Sequence, residues 1–141
     1  MPTQMTHWER LRATLRRQVT DRVPVSMWRH FYKDETSAEG LAAAMLGFQR
    51  QYDWDFVKVN ARASYHVEDW GVKTRYAGDA APEVIETPVK APDDWLKLSV
   101  LNINQGVLQE HLRSLQLIAE GLKGEVPFVM TVLLLVLRVR S

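Results

Sequence analysis

The chain has 141 residues, of which 46% are apolar, and this suffices to bury one hydrophobic core in a single domain. Its 18 basic and 17 acidic residues leave a formal charge of +1, so no strong field attracts nucleic acid or an anionic membrane. The absence of cysteine excludes disulfides and thiolate sites and favours the cytoplasm. We therefore expect a cytoplasmic protein with neither a nucleic-acid partner nor a membrane partner. The N-terminus has no apolar signal segment, and we expect it to be that of the mature protein.

Residues 1–22 are predicted to form an N-terminal amphipathic helix. Thr6 and Glu9 have the spacing of a capping box. Four apolar residues follow at helical spacing, namely Trp8, Leu11, Leu15 and Val19. The basic residues of this segment are expected on a solvated helix face rather than at a nucleic-acid contact: Arg10, Arg12, Arg16 and Arg17.

The stretch RVPVSMWRHF, residues 22–31, contains the first predicted strand, Val23–Trp28. It is rich in residues that favour β-structure, and Pro24 is tolerated at the first position of a strand. Arg29 and His30 follow directly, where a buried strand would remain apolar. A cation at this point indicates either a binding site or a side chain that reaches solvent.

The remaining elements alternate between helix and strand. A helix is predicted at about residues 37–52, and a second strand, DFVKVN, follows at residues 55–60. Its alternation places Phe56, Lys58 and Asn60 on one side, and Val57 and Val59 on the other. Further along, the pattern predicts short strands near 72–76 and 84–89, a helical turn near 92–98, a helix over 106–122 ended by Gly124, and a third main strand, PFVMTV, at 127–132.

This alternation is typical of α/β proteins built from βα units with parallel strands, and it leaves a Rossmann-like sheet and a barrel both open. In both architectures ligands bind at the carboxyl ends of the strands. We therefore expect Arg29 and Asn60 to lie near each other at a pocket, the alternative being that Asn60 caps a turn. Arg62 and Tyr65 follow Asn60 and are candidates for substrate contact, although loop polarity explains them equally well.

The segment SYHVEDWG holds three possible metal ligands, His66, Glu68 and Asp69. A solvated charge cluster anchored by the packing of Trp70 is the commoner reason for such a pattern. No metal site is predicted for this segment. His7 and His111 fall on predicted helices, where surface or hydrogen-bonded positions are expected.

Three stretches together resemble the uroporphyrinogen decarboxylase family. PVSMWRHF is similar to its first strand motif, YDWDFVKVN to its second strand, and VPFVMTV to the start of its third. The resemblance implies a partial TIM (β/α)8 barrel, roughly the first three βα units of a fold that typically needs about 250 residues. Residues 1–141 would then form one incomplete barrel domain, with an N-terminal helix at 1–22, βα units over 23–132 and an atypical tail at 133–141.

The resemblance also implies roles for single residues. Arg29 matches an arginine that binds substrate carboxylates, and Asn60 stands where the family has a catalytic aspartate at the pyrrole nitrogens. His30, Arg62 and Tyr65 are expected beside them as substrate-binding residues. The implied activity is decarboxylation of a carboxylated, tetrapyrrole-like small molecule without a cofactor, as in porphyrin biosynthesis.

Two departures from the family motifs widen the functional prediction. The strict decarboxylases follow the first arginine with Gln-Ala-Gly and a second arginine, whereas this chain has His30, Phe31, Tyr32 and Lys33. Asn60 keeps a hydrogen-bonding oxygen but lacks the charge that would stabilise a cationic pyrrole. With these two departures the chain resembles the family's broader branch, which includes relatives similar to cobalamin-dependent methyltransferases. Those relatives bind zinc through His and Cys in the later half of the barrel. Zinc or a corrinoid is expected only in that alternative.

The C-terminal run Val126–Leu137 is shorter than the roughly 20 residues of a membrane span and is predicted to be a buried strand. The residues LLLVLRVRS that follow Val132 do not resemble the family, and a truncation or a change of reading frame would explain them. Three strands would leave open barrel edges, so we expect possible homo-oligomers. A third possibility is therefore a truncated, non-catalytic chain that acts only by association.

Overall fold

A computed structural model of the chain describes residues 4–132. The elements in chain order are α1 (His7–Leu15), α2 (Ala38–Tyr52), β1 (Val57–Val59), α3 (Tyr65–Glu68), β2 (Lys73–Arg75), β3 (Glu83–Glu86), a 3-10 helix (Pro92–Lys97), α4 (Gly106–Leu122) and β4 (Phe128–Met130). The predicted α/β class is confirmed. The unusual residues of the tail, 133–141, lie outside the described part of the chain.

Two small sheets organise these elements. β1 pairs with β4 in parallel, with Val57 opposite Phe128 and Lys58 opposite Val129. This is the parallel pairing that the alternation of helices and strands predicts. β2 and β3 form a separate antiparallel pair within the long segment that connects α3 to α4.

The core lies where one face of β1 packs against α2 and α4. Val57 and Val59 are buried on that face, as their alternation in the sequence predicts. The other buried members of this core are Leu41, Ala42 and Met45 of α2, and Ile118 and Leu122 of α4. The opposite face of β1 therefore carries Lys58 and leads to Asn60.

The predicted helix boundaries are largely confirmed by capping interactions. Thr6 and Glu9 form the expected capping box of α1. The Ser37 hydroxyl accepts a hydrogen bond from the Gly40 amide at 3.1 Å and begins α2. At Gly40 a Cβ atom would collide with the backbone oxygen of Asp34, so glycine permits residues 31–37 to pack tightly on α2.

Residues 23–31 are extended but form no strand, so the strand predicted at Val23–Trp28 is wrong. The Val25 carbonyl accepts a hydrogen bond from the Asp55 amide at 2.9 Å, as in a sheet. The Val25 amide, however, donates to the Asp55 carboxylate at 2.7 Å. The Asp55 side chain thus binds the Val25 amide, which in a regular strand would donate to a backbone carbonyl of the neighbouring strand.

The N-terminal helix also differs from its prediction. Of the described part of the predicted range, residues 4–22, it occupies His7–Leu15, and the side chain of Leu15 is exposed. Arg10, expected on the solvated face, is 2% exposed and is among the most buried side chains of the described residues. A buried guanidinium requires partners, and two aspartates provide them.

Asp55 accepts the hydrogen bonds that connect these N-terminal segments. Its buried carboxylate binds the guanidinium groups of Arg10 and Arg22 and the amide of Val25. Arg10 also donates to Asp21 at 2.7 Å through Nε. Burial alone would raise the pKa of Asp55, but the hydrogen bonds from Arg22, Val25 and Arg10 outweigh burial and lower it.

No helix within residues 4–132 is both long enough and apolar enough to cross a membrane. The strand predicted for PFVMTV is present as β4, but it is not buried as expected, because Phe128 and Val129 are exposed. Leu133–Leu137 of the apolar run fall outside the described residues.

We predict that Asp55→Ala lowers the free energy of unfolding by about 3–5 kcal/mol, because it leaves two arginines without their buried partner. Chemical denaturation at neutral pH measures this change. Asp53→Asn is a matched control, since this side chain is 80% exposed and Asn also tolerates its left-handed backbone. A loss for Asp55→Ala no larger than that for the control would contradict the role of Asp55.

The same network predicts an acid-sensitive stability. The folded pKa values of Asp55 and Asp21 are lowered, so their contribution is present above the ordinary aspartate pKa of about 3.9 and is lost as the pH falls further. The unfolding free energy of the wild type should therefore drop below about pH 4. The Asp55→Ala variant should show a shallower dependence.

Candidate functional site

Five side chains meet at the end of β1, on the face turned away from α2 and α4, and we call them the strand-end cluster. Trp28 and His30 alternate along the extended segment, and Tyr32 begins the turn after it, with the His30 and Tyr32 rings stacked at 4.9 Å between centroids. The Lys58 ammonium lies 4.0 Å from the Trp28 ring centroid. An Asn60 side-chain nitrogen lies 2.8 Å from His30 Nδ1.

The backbone period of extended chain explains why these residues converge. Alternate side chains of an extended segment point to the same side, which brings Trp28 and His30 together. Lys58 and Asn60 share one side of β1 for the same reason. Tyr32 begins the turns that follow the extended segment and joins the cluster by stacking on His30. The cluster therefore consists of two such rows placed next to each other by the tertiary structure.

Glu35 contacts the strand-end cluster through His30 and also binds two backbone amides. Its carboxylate is buried and accepts hydrogen bonds from the amides of Phe31 at 3.0 Å and Ala63 at 2.9 Å. The same carboxylate lies 3.0 Å from His30 Nδ1. Glu35 thereby connects the extended segment to the loop that follows β1.

Lys58 is the cation of the cluster. It is half-buried, and no carboxylate within residues 4–132 forms an ion pair with it. Its neighbour across the sheet is the apolar Val129. Contact with Trp28 is attractive for a cation but leaves the ammonium donors available to an anion.

Arg29 lies beside the cluster but contacts different groups. Its Nε donates to the His30 carbonyl at 3.1 Å, and its guanidinium lies 5.4 Å from the Phe31 ring centroid. Arg29 is exposed and has no acidic partner in the described part of the chain. The structure thus brings His30, rather than Arg29, into contact with Asn60.

Arg62 and Tyr65 occupy a neighbouring polar region. Arg62 forms an ion pair with Glu68 at 2.7 Å and lies 3.8 Å from Glu110. Burial raises the pKa of Glu110. Tyr65 is buried, and its ring lies 5.2 Å from that of His111, whose pKa burial lowers. The expected substrate contacts of Arg62 and Tyr65 remain predictions.

Of the three possible metal ligands of SYHVEDWG, the two carboxylates bind other groups of the protein. Glu68 pairs with Arg62, and Asp69 accepts hydrogen bonds from the amides of Val107 and Leu108 at 2.8 and 2.9 Å. Asp69 therefore caps the beginning of α4. Across residues 4–132, no three His, Asp or Glu side chains are arranged to hold a metal ion.

Sequence reasoning missed four residues of this region. Trp28, Tyr32 and Lys58 could have been found from their two-residue spacing to His30 and Asn60. Glu35 carries no such signal, because residues 32–36 form irregular turns whose path depends on packing.

Comparisons with known proteins agree with this architecture. The family model described as uroporphyrinogen decarboxylase (URO-D) matches residues 6–133. No curated protein matches the chain significantly.

Among solved structures, a methyltransferase from Methanosarcina mazei superposes with a TM-score of 0.66 and 19% sequence identity. The match covers 90% of this chain and 42% of the methyltransferase, so the chain spans less than half of that protein. At this identity the likeness shows the fold alone. The family match extends over nearly all described residues and includes every member of the strand-end cluster, and the chain therefore belongs to the uroporphyrinogen decarboxylase family.

Proposed function

We propose that β1 and β4 are neighbouring strands of a (β/α)8 barrel and that the strand-end cluster forms part of its active-site mouth. Their parallel pairing, with α4 leading into β4, supports this arrangement. Catalytic groups of such barrels lie at the carboxyl ends of the strands, and Asn60 directly follows β1. The described residues would then supply one sector of the site.

The ligand that this sector fits best is a carboxylated small molecule. The environment of Lys58 carries this proposal. Lys58 is a half-buried cation that contacts the Trp28 ring and has no carboxylate partner in the described chain. Arg29 supplies a second cation at the edge of the same region. Ammonium and guanidinium groups form charge-assisted hydrogen bonds with carboxylates, and the Trp28 and Tyr32 rings offer apolar surface to the rest of the ligand.

The family implies decarboxylation as the reaction. In that chemistry the leaving carboxylate departs as carbon dioxide, while its electron pair moves into a protonated ring. Cations at the mouth would hold the carboxylates that are retained. His30, Asn60 and Arg29 would contact the substrate, and no cofactor is needed.

A second candidate is methyl transfer, and the amide of Asn60, at the position where the family has an aspartate, favours it. A neutral amide stabilises a cationic pyrrole less well than a carboxylate does. The structurally similar methyltransferase is consistent with this candidate. The zinc of such relatives does not fit the described residues, because the chain has no cysteine and no suitable cluster in this part.

We predict that Lys58→Met weakens binding of tricarballylate, a simple tricarboxylate probe, by about tenfold, since a hydrogen bond between charged groups contributes about 1.5–3 kcal/mol. Arg29→Met should weaken it in the same direction. NMR chemical-shift titration measures even weak affinities.

Lys97→Met is the matched control for this comparison. Lys97 is an exposed lysine paired with Asp94 on the 3-10 helix, away from the cluster, and its replacement should leave the affinity unchanged. Equal affinities of the wild type and Lys58→Met would refute the assignment of Lys58.

A second prediction distinguishes the two reactions. If the site has left porphyrin chemistry, as the second candidate requires, the protein with Asn60 in place should release no measurable carbon dioxide from uroporphyrinogen. Asn60→Asp restores the carboxylate and should introduce turnover only if the site is otherwise that of a tetrapyrrole decarboxylase. Robust release by the wild type would show that the Asn60 substitution is compatible with porphyrin chemistry.

We further propose that copies of the chain associate through apolar surface near β4. Val129 is 48% exposed, and Phe128 of the same strand and Val132 just beyond it are exposed as well. Unpaired strand edges and apolar faces favour association.

Light scattering should therefore give a mass above that of a monomer, and Val129→Lys should lower it. The control is Val100→Lys, at a loop position that is already 98% exposed. A stable monomer with turnover like that of longer family members would exclude both this association and the non-catalytic alternative.

A further inference from the structure

We propose that Glu35 is a positioning residue that fixes His30 in the tautomer with hydrogen on Nδ1, so that Nε2 becomes the proton acceptor of the strand-end cluster. The identity of the proton donor, a bound carboxylated ligand, rests on the function proposed above. The tautomer itself follows from the contacts of Glu35 and does not depend on that function.

The buried carboxylate determines which His30 nitrogen carries the hydrogen. Glu35 is 1% exposed and already accepts hydrogen bonds from the Phe31 and Ala63 amides. An ionised carboxylate only accepts hydrogen bonds, so a bare Nδ1 lone pair 3.0 Å away would be repelled. A hydrogen on Nδ1 converts that repulsion into a third hydrogen bond to Glu35.

Asn60 is compatible with this assignment. Its amide nitrogen and oxygen exchange places by a half turn about the last side-chain torsion, and the hydrogen-bond network decides between them. In the structure the amide nitrogen of Asn60 lies 2.8 Å from His30 Nδ1. With hydrogen on Nδ1, the half turn would bring Oδ1 to that position. Asn60 then shares the Nδ1 hydrogen with Glu35 and does not compete for Nε2.

The ring orientation directs Nε2 away from Glu35. Tyr32 stacks on His30 with an interplanar angle of 7°, and Trp28 meets the ring edge to face at 6.1 Å. These contacts fix the plane of the imidazole. Within residues 4–132 no group hydrogen-bonds to His30 Nε2, and the side chain retains 26% exposure.

The chemistry of such a pair is proton transfer. The Nε2 lone pair takes a proton from an acidic group of the ligand, whose bonding electrons remain on the ligand. The resulting imidazolium is stabilised by the Glu35 carboxylate. The same proton can then return to a different ligand atom, which leaves His30 neutral again.

Nitrogen NMR of the intact chain tests the tautomer without any ligand. At about pH 9, well above the ordinary histidine pKa of about 6.5, we expect wild-type His30 to show a protonated Nδ1 and a bare Nε2. Glu35→Gln should replace this single tautomer with a mixture. Glu39→Gln, at an exposed position in the first turn of α2, should leave it unchanged.

A second variant keeps the test decisive if Glu35→Gln fails to fold. Asn60→Ala should preserve the Nδ1 tautomer, because Glu35 remains. Loss of the tautomer in this variant, or a wild-type His30 with hydrogen on Nε2, would overturn the proposal. Diethyl pyrocarbonate, which modifies unprotonated imidazole nitrogen, should label wild-type His30 at Nε2; labelling at Nδ1 would likewise overturn it.

The outcome is separable from that of the function. If tricarballylate does not bind but His30 holds the Nδ1 tautomer, the proposed ligand class fails while the role of Glu35 stands. If tricarballylate binds and Lys58→Met weakens it, yet His30 shows the other tautomer, the function stands and the role of Glu35 fails.

Discussion

The buried carboxylate of Asp55 is the constraint on which the described structure depends. It stands just before β1 and binds Arg10 from α1, Arg22 and the Val25 amide. Two cations and a backbone donor converge on one anion, so the N-terminal helix and the extended segment are held against the sheet by charge as well as by apolar contact. Together with the hydrogen bond from the Asp55 amide to the Val25 carbonyl and the contacts of Glu35, this anchor fixes the position of residues 22–32 relative to β1.

That position decides the geometry of the candidate site. Trp28 and His30 meet Lys58 and Asn60 only because the extended segment lies beside β1 in one register. A shift by one residue would turn Arg29 toward Asn60 and His30 away from it, since alternate side chains of extended chain face opposite sides. The Asp55 network therefore acts on function indirectly, by setting which of two adjacent polar residues faces β1.

Two buried carboxylates have different consequences in this fold. Asp55 forms ion pairs with Arg10 and Arg22, and these pairs hold the N-terminal segments against β1. Glu35 binds two backbone amides and faces the imidazole of His30. A carboxylate paired with a fixed cation stabilises structure, whereas one paired with a titratable ring can also direct proton transfer.

The sequence by itself determined the two long helices, the strands at 57–59 and 128–130 and the family, because apolar periodicity, capping residues and strand motifs are local signals. It also indicated that Arg29 and Asn60 belong to one region, and the family resemblance added His30. Only the tertiary structure decided that Arg10 is buried, that Val23–Trp28 forms no strand, and that Lys58 and Glu35 join the site. The physical reason is that these outcomes depend on partners far apart in the chain: the same arginine is solvated or buried according to whether Asp55 and Asp21 come within reach of its guanidinium.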